Sequence, residues 1–369
     1  YTVTGNIEIT YEEELTVVYL DFTIENGVVT GYTGSDTNVV IPSTYSISNG
    51  SIVEGTDYAV TGIGESAFES KTSITSITIP SGVTSIGNLA FSYCSNLTTV
   101  TFGENSQLTS IGDRAFFSCR SLTSITIPEN VTSIGNRAFN NCTGLTEINF
   151  NATNMSDLSN DNFVFNRVGQ NNTGIVVNIG ANVTRIPAYL FDADSLFSNT
   201  SPNIVSVNFK EGSQCTEIGD YAFDDCSSLT SITIPSSVTS IGSYAFRDCS
   251  SLTSITIPSS VTSIGLRAFY SCSSLTSITI PSSVTSIGYS AFSDCTGLTE
   301  INFNATNMSD LSNDNYVFSY AGNGSTGIEV NIGANVTRIP ANLFSPSGPS
   351  YSPKIVSVNF EEGSQCTEI

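Results

Sequence analysis

The chain has 369 residues with 33 acidic and 11 basic side chains, no histidine and a formal net charge of −22. This acidity repels phosphate backbones and anionic lipid surfaces, and no segment approaches the roughly 18–20 apolar residues that span a bilayer, so we expect no nucleic acid partner and no membrane insertion. Without histidine the chain lacks the commonest general base and metal ligand, which argues against an enzyme.

The first 73 residues differ from the rest of the chain. Residues 1–21 match no repeat, carry Glu12, Glu13 and Glu14, and are predicted to form a charged strand or hairpin that covers the open end of a stack. Residues 22–73 keep the skeleton of the later repeats around an insertion, which predicts an N-terminal capping repeat. Because the chain begins without Met and stops at Ile369 within a repeat, we expect it to be part of a longer protein.

Residues 74–369 are built from a short repeat. Its closing cysteine falls at Cys226, Cys249, Cys272 and Cys295, each 23 residues after the last. A unit this short cannot bury its own apolar face, so the copies are predicted to stack into a solenoid with a continuous core. We count twelve coils, the last one truncated. A long phrase that starts at 146 recurs at 299, which indicates a duplicated block beginning at residues 145 and 298.

Each plain coil has a strand followed by a turn. Leu252, Ile255 and Ile257 are apolar with polar residues between them, the alternation of a strand with one buried face. Pro258 ends that strand, because proline cannot donate to a central ladder. Gly265 is predicted to turn the backbone where a Cβ would not fit, and the one-turn segment after it carries Ala, Phe and Cys inward.

The order Leu-x-x-Ile-x-Ile-Pro, then Val-x-x-Ile-Gly-x-x-Ala-Phe-x-x-Cys, resembles the BspA-like, or Treponema-type, leucine-rich repeat family. The resemblance covers roughly residues 22–369. It implies a β-rich solenoid, a right-handed leucine-rich-repeat superhelix of 23-residue coils with parallel strands on the concave face and short one-turn helices or strands on the convex side. It also implies a secreted or cell-surface bacterial protein of host-associated species, with a role in adhesion. The coils from Leu145 and Leu298 depart from the pattern, because Asn151 and Asn304 replace the proline and the closing Cys is missing.

Several features that resemble chemical sites favour structural roles. Seven of the nine cysteines hold one repeat position, and side chains in register cannot easily reach a disulfide torsion, so we expect reduced, buried thiols. The sequence contains no C-x-x-C pair, the spacing typical of a zinc site, so zinc is disfavoured. The acidic pair Asp224 and Asp225 is predicted to lie on a solvated face rather than to act as a glycosidase pair. We therefore expect no catalytic residue, no metal and no cofactor.

Two surfaces are candidates for binding. On the strand face, the outward positions form a uniform column of Ser and Thr, and the simplest interpretation of this column is strand propensity alone. Glu and Asn interrupt the column in the irregular coils. These strand-face residues are Glu147, Asn149, Asn178, Asn208, Glu300, Asn302, Glu329 and Asn331. In the turns, the variable positions hold Tyr and Arg, which are enriched in binding hot spots. The alternative is that these are surface positions that tolerate substitution and vary without a function. These turn residues are Arg114, Arg137, Tyr244, Arg267, Tyr270 and Tyr289.

Three functions fit this sequence. The first is a non-enzymatic recognition or adhesion protein that binds a host or bacterial protein or glycan outside the cell. The second is a structural spacer that presents another domain. The third is a Thr/Ser ladder for ice or polysaccharide, which the Glu and Asn interruptions disfavour.

Overall fold

A computed structural model describes residues 21–48, 50–193, 201–346, 348 and 351–368. The predicted N-terminal segment 1–21 therefore lies outside the described residues, except for Asp21. The chain divides into two compact units: the first is Tyr1–Ser156 with Asp161–Thr173, and the second is Asp157–Asn160 with Gly174–Ile369. The described residues contain no α-helix. None of them forms a helix with the length and hydrophobicity needed to cross a bilayer.

The first unit contains thirteen strands in its described residues. They are β1 (Phe22–Glu25), β2 (Val28–Tyr32), β3 (Asn38–Val40), β4 (Thr44–Ser48), β5 (Ser51–Ala59), β6 (Gly62–Ile63), β7 (Ser76–Ile79), β8 (Ser85–Ile86), β9 (Thr99–Phe102), β10 (Ser110–Ile111), β11 (Ser124–Ile127), β12 (Ser133–Ile134) and β13 (Glu147–Phe150).

Parallel pairing between successive coils builds this unit. The two-residue strands β6, β8, β10 and β12 follow β2 in one sheet, and the longer strands pair as β3-β7-β9 and as β11-β13. The register keeps equivalent residues opposite each other, for example Ser110 opposite Ser133. Two antiparallel hairpins, β1-β2 and β4-β5, precede the regular coils. Because β2 and β3 join the parallel sheets, residues 22–73 continue the stack, and their capping role stays a prediction.

The second unit is built by the same parallel pairing between coils. Its strands are β14 (Ile175–Ile179), β15 (Arg185–Ile186), β16 (Ile204–Phe209), β17 (Glu217–Ile218), β18 (Ser231–Ile232), β19 (Ser240–Ile241), β20 (Ser263–Ile264), β21 (Ser277–Ile280), β22 (Ser286–Ile287), β23 (Glu300–Phe303), β24 (Ile328–Ile332) and β25 (Ile355–Phe360). The short strands form the parallel sheet β15-β17-β19-β20-β22, and the longer ones pair as β14-β16-β18 and as β21-β23-β24-β25.

The core of each unit is a stack of identical side chains. Phe68, Phe91 and Phe116 lie with ring centroids 5.0 Å apart and nearly parallel planes, which is the offset stacking that aromatic quadrupoles favour. In the second unit, Phe246, Phe269 and their neighbours continue the same pattern at 5.1–5.4 Å. The inward isoleucines and the Ala of each turn are buried as well. The predicted β-rich solenoid of stacked coils with parallel strands is confirmed.

The segment that closes each coil is a series of turns, and of the two expected forms, short helices or short strands, the structure shows the strands. Backbone bonds between coils explain this. Tyr221, Phe223 and Asp225 donate their N–H groups to carbonyls of the next coil at 2.8–2.9 Å. These bonds would compete with the i→i+3 bonds of a helix, because each N–H group is a single donor.

The prediction that a Cβ would not fit at the turn glycine is confirmed, and the structure shows why. Gly265 does not adopt a left-handed φ, but a Cβ on it would lie 2.5 Å from the carbonyl carbon of Gly242 in the preceding coil. The glycine therefore permits the close approach of two coils. The left-handed positions are instead occupied by larger residues, among them Tyr244 (φ 58°) and Arg267 (φ 49°).

One predicted strand is incomplete. The copy that contains Leu252, Ile255 and Ile257 joins its neighbours through isolated bridges alone, and β18 before it has two residues. Ile255 is 7% exposed there, whereas its equivalent Ile278 is 1% exposed. The looser pairing of this copy thus coincides with greater exposure of its isoleucine.

Candidate functional site

The turns of the second unit bring Tyr and Arg side chains into one column. These side chains belong to the second residue after the turn glycine or its equivalent. The N–H group of this residue donates to a carbonyl of the next coil, as Tyr244 does to Leu266 at 2.7 Å. Tyr189 and Tyr221 stack with centroids 4.6 Å apart, and Tyr221 and Tyr244 with centroids 4.5 Å apart. Equivalent side chains must lie one strand spacing apart, so identical rings stack face to face.

Arg267 continues this column among three rings. Its guanidinium carbon lies 5.9 Å from the ring centroid of Tyr244, 5.3 Å from that of Tyr270 and 5.5 Å from that of Tyr289. These distances are within the range of cation–π attraction. We call Tyr189, Tyr221, Tyr244, Arg267, Tyr270 and Tyr289 the Tyr–Arg ladder. It unites four predicted turn residues with two tyrosines that the sequence analysis missed.

Two arginines of this region differ in their partners. Arg247 donates to both carboxylate oxygens of Asp224, at 2.7 and 2.5 Å, and lies 3.5 Å from Asp248. Arg267 forms no ion pair within 4 Å in the described part of the chain, and its Nε is buried without an acceptor. The positive charge of Arg267 is therefore held by ring faces and is not neutralised by a carboxylate.

Two phenols of the ladder, those of Tyr221 and Tyr270, are neutral hydrogen-bonding groups. Burial, and then the neighbouring Tyr244 and Tyr189, raise the pKa of Tyr221 to about 12. Burial and the carboxylate of Asp294 raise the pKa of Tyr270 as well. These hydroxyls therefore keep their protons at physiological pH and can both donate and accept.

Two buried carboxyls lie in the next column, one residue after the stacked phenylalanines. Asp192 and Asp224 are 7% and 1% exposed, and Asp192 hydrogen-bonds to Asp224. Burial, and then the Asp224 carboxylate, raise the pKa of Asp192 to about 8. Burial raises the pKa of Asp224 to about 6 although Arg247 lowers it. The predicted solvated face is therefore wrong for Asp224, because its carboxylate is turned inward to bind the Arg247 guanidinium.

In the first unit, Arg114 and Arg137 occupy the same turn position in adjacent coils. They line a surface groove of about 540 Å³, and the guanidinium carbon of Arg137 lies 5.9 Å from the centroid of the Phe163 ring. Phe163 was missed by the sequence analysis because its coil lacks the turn glycine and the closing cysteine. Hydrogen bonds between the coils position Phe163, since the N–H of Arg137 donates to the carbonyl of the preceding residue, Asn162, at 2.6 Å.

The strand face has a different character. In the second unit, the Asn331 amide donates to Asn302 at 2.9 Å and to Glu300 at 3.1 Å, and Asn359 donates to Asn331 at 3.1 Å. Asn208 donates to Asn178 at 3.4 Å in the same manner. Glu147 and Asn149 lie on β13, and Glu329 lies on β24. The predicted strand-face residues are thus in part an amide ladder that stabilises the sheet, and a binding role for them stays a prediction.

The column of cysteines is buried, as expected. In the described residues every cysteine is a free thiol, and only Cys366 is half-exposed. The S–H group of Cys94 donates to the Phe68 carbonyl at 3.0 Å, and Cys119 donates to the Phe91 carbonyl at 3.1 Å. Burial raises the pKa of Cys94 to about 12. These thiols are structural donors between coils and not nucleophiles.

Comparison with known families identifies the repeat. The BspA type Leucine rich repeat region family matches residues 61–198 and 216–350 with six copies, which is most of the chain. The chain belongs to this family. The predicted resemblance is therefore confirmed, although no curated protein matches the chain.

Solved structures of similar repeat proteins come from several bacteria. A leucine rich cell surface protein from Faecalibacterium prausnitzii A2-165 is 24% identical, with 95% of this chain and 96% of that chain covered and a TM-score of 0.40. The pneumococcal vaccine antigen PcpA is 18% identical over 96% of this chain and 98% of its own, with a TM-score of 0.45. A leucine-rich repeat protein from Bacteroides capillosus ATCC 29799 is 37% identical over 33% of this chain and 82% of its own, with a TM-score of 0.26.

Proposed function

We propose that this BspA-type protein is a non-enzymatic recognition module, secreted or displayed on a bacterial surface, that binds an extracellular protein or glycan through the Tyr–Arg ladder. The observation that carries the proposal is the column of Tyr189, Tyr221 and Tyr244 leading to Arg267, whose charge has no carboxylate partner among the described residues. Tyr and Arg are the residue types enriched in binding hot spots. Membership of the family supports an extracellular location.

The stacking of the ladder prepares it for binding. Rings that are fixed against each other before a partner arrives lose little side-chain entropy on association. Because the faces of Tyr221 are covered by Tyr189 and Tyr244, a partner meets ring edges, phenol hydroxyls and guanidinium N–H groups. The ladder is therefore suited to a polar partner, such as a glycan or a polar protein surface, and less to an apolar groove binder.

The strand face is the weaker candidate. The amides of Asn302, Asn331 and Asn359 already bond to one another, so a partner would have to compete with those bonds. A Thr/Ser ladder for ice or polysaccharide is disfavoured further, because Glu300 and Asn302 interrupt the column on β23. Measurable thermal hysteresis of the purified protein would support that third function.

The proposal is tested by binding of the purified chain, at physiological salt, to fibronectin, mucin and plant or bacterial polysaccharides. A ladder variant with Tyr221→Ser, Tyr244→Ser and Arg267→Ser is compared with a variant in which Glu147, Asn149, Glu300 and Asn302 are changed to Ser or Thr. We expect the ladder variant to lose at least tenfold in affinity and the strand-face variant to keep it. The reverse result would move the site to the strand face.

A matched control separates ring stacking from hydrogen bonding. Tyr221→Phe with Tyr244→Phe keeps the stacked rings and removes the hydroxyls. If the edge hydroxyls contact the partner, this variant loses affinity while its melting temperature stays near that of the parent.

The structural spacer remains the alternative. It is favoured by the amide ladder, in which polar strand-face groups are satisfied within the protein. Absence of binding to every member of the panel would support the spacer and contradict the recognition proposal.

A further inference from the structure

Two arginines lie in register on the turns of the first unit. Ser110 pairs with Ser133, and Arg114 and Arg137 lie four residues after Ser110 and Ser133 respectively. Equivalent residues of adjacent coils are about 4.8 Å apart along such a ladder. Two guanidinium groups at about that separation repel each other. A negative charge placed between them would turn this repulsion into attraction.

The protein itself does not supply that charge by an ion pair. Within the described ranges, neither Arg114 nor Arg137 has a carboxylate oxygen within 4 Å, whereas Arg185 pairs with Asp157 and Glu217, and Arg338 pairs with Asp310. Arg114 is exposed and Arg137 is half-exposed, so both can reach a ligand.

Polar groups with fixed orientations surround the two arginines in the groove of about 540 Å³. The N–H of Asp113 donates to the Asn88 side-chain oxygen at 2.8 Å, and the N–H of Asn136 donates to Asp113 Oδ1 at 2.8 Å. The Asn136 amide donates to the Asp161 carbonyl at 2.8 Å. Such bonds hold the side chains in place before a ligand arrives. The volume is in the range of small-ligand sites.

We propose that this groove binds a carboxylated sugar, with the carboxylate on Arg114 and Arg137 and the sugar ring against Phe163. The planar guanidinium fork matches a carboxylate. The Asn and Asp side chains of the groove can exchange hydrogen bonds with sugar hydroxyls. The site is separate from the Tyr–Arg ladder and does not depend on it.

The acidic residues of the groove decide between ligand classes. Glu65, Asp113 and Asp161 also line it, and they would repel an acidic peptide or another polyanion. A sugar with a single carboxylate is repelled less than a polyanion, because its remaining groups are neutral hydroxyls. The mixed charge of the groove therefore favours one carboxylate on a polyhydroxylated ring.

The test uses two sugars that differ only in the carboxylate, methyl β-glucuronide and methyl β-glucoside, titrated into the full chain with detection by saturation-transfer NMR. Sialyllactose and lactose form a second pair. From the size of a monosaccharide we expect a Kd of about 1 mM for the glucuronide. The glucoside should bind at least tenfold more weakly. Equal binding of the two, or no binding of either acidic sugar at 10-fold that concentration (~10 mM), overturns the proposal.

Variants locate the site. Arg114→Gln with Arg137→Gln should weaken glucuronide binding at least tenfold, and Arg114→Lys with Arg137→Lys should weaken it less, because an ammonium keeps the charge but not the fork. Arg120→Gln removes an exposed charge of the same unit outside the groove and should have no effect. Unchanged binding by the Gln double variant, or binding of an acidic tetrapeptide in place of the sugars, contradicts the assignment. The ladder variant should bind glucuronide normally, which separates this result from the test of the recognition proposal.

Discussion

At the scale of single residues, the turns depend on left-handed backbone in residues other than glycine. Leu89 (φ 56°), Arg114 (φ 51°) and Tyr221 (φ 55°) hold equivalent positions in different coils. This conformation is costly for residues with a Cβ, by roughly 1–2 kcal/mol each. The inter-coil hydrogen bonds made by these residues, such as Leu89 N–H to the Asp113 carbonyl at 2.9 Å, hold it in place.

Leu89 offers a test of that cost. Leu89→Ala shortens the side chain but keeps the Cβ, whereas Leu89→Gly removes it. After the larger unfolded-state entropy of glycine is subtracted, we expect the Gly variant to be more stable than the Ala variant by about 0.5–1 kcal/mol. The measurement is the free energy of unfolding in denaturant for both variants. A Gly variant that is less stable than the Ala variant would mean that the strain of the left-handed turn is smaller than the entropy cost of glycine.

Residue types could be predicted from the sequence more readily than the reasons for them. The alternation around Ile255 and the recurrence of Cys249 correctly indicated inward positions, because each follows from the period of one strand or one coil. The sequence also predicted that Gly265 leaves no room for a Cβ, but not the cause, since that depends on how closely the backbone of one coil approaches Gly242 in another.

At the scale of the elements, each turn is a member of a column, and neighbours in a column change each other's chemistry. Asp192, Asp224, Arg247 and Tyr270 follow the stacked phenylalanines at the same position in successive coils. One guanidinium therefore faces two buried carboxyls, of which Asp224 takes both hydrogen bonds. Asp192 is left to hydrogen-bond to Asp224, a contact that requires a proton between the two carboxyls.

This pair makes stability depend on pH. The pKa of Asp192 is raised from 3.8 to about 8 and that of Asp224 from 3.8 to about 6. Between these values the folded state binds more protons than the unfolded state, so the free energy of unfolding falls as the pH rises from about 4 to about 8. Asp192→Asn removes the larger effect. We expect this variant to gain at least about 1.4 kcal/mol relative to the parent at pH 8, the value of one pKa unit, and to gain little at pH 4.

The measurement is urea unfolding of both proteins at pH 4, 6 and 8. Asp314→Asn serves as the control, because Asp314 is an exposed carboxylate of the same unit. A gain that is the same at all three pH values would show that Asp192 is not titrating in this range.

The columns also show where sequence alone was insufficient. Tyr244, Arg267 and Tyr289 were recognised as variable turn residues, but the contact of three rings with one guanidinium depends on the spacing of coils. Tyr189 was missed because Pro187 replaces the turn glycine of its coil, so the motif is not recognisable there. The pairing of Arg247 with Asp224 joins residues 23 positions apart, and that separation equals the repeat period.

At the scale of the whole molecule, stability in a repeat protein is a sum of coil and interface contributions, and local opening occurs at the weakest interface. The second unit carries three copies of Leu-Thr-Ser-Ile-Thr-Ile-Pro, starting at Leu229, Leu252 and Leu275. The last copy forms the four-residue strand β21, while the first forms the two-residue β18 and the middle one makes isolated bridges. Identical sequence therefore has different pairing according to its neighbours, which no single-coil pattern could predict.

This difference predicts where the second unit opens first. Residues 252–257 and 275–280 have the same sequence and hence nearly the same intrinsic amide exchange rates, so any difference in protection reports the structure. We expect 252–257 to exchange about five to ten times faster, the effect of about one hydrogen bond's net contribution of roughly 1 kcal/mol. Hydrogen exchange with mass spectrometry measures this on peptic peptides extended to Arg247 or Tyr270, which distinguish the copies. Equal protection of both copies would mean that the ladder is continuous through Ile255 in solution and that the pairing there is as strong as around Ile278.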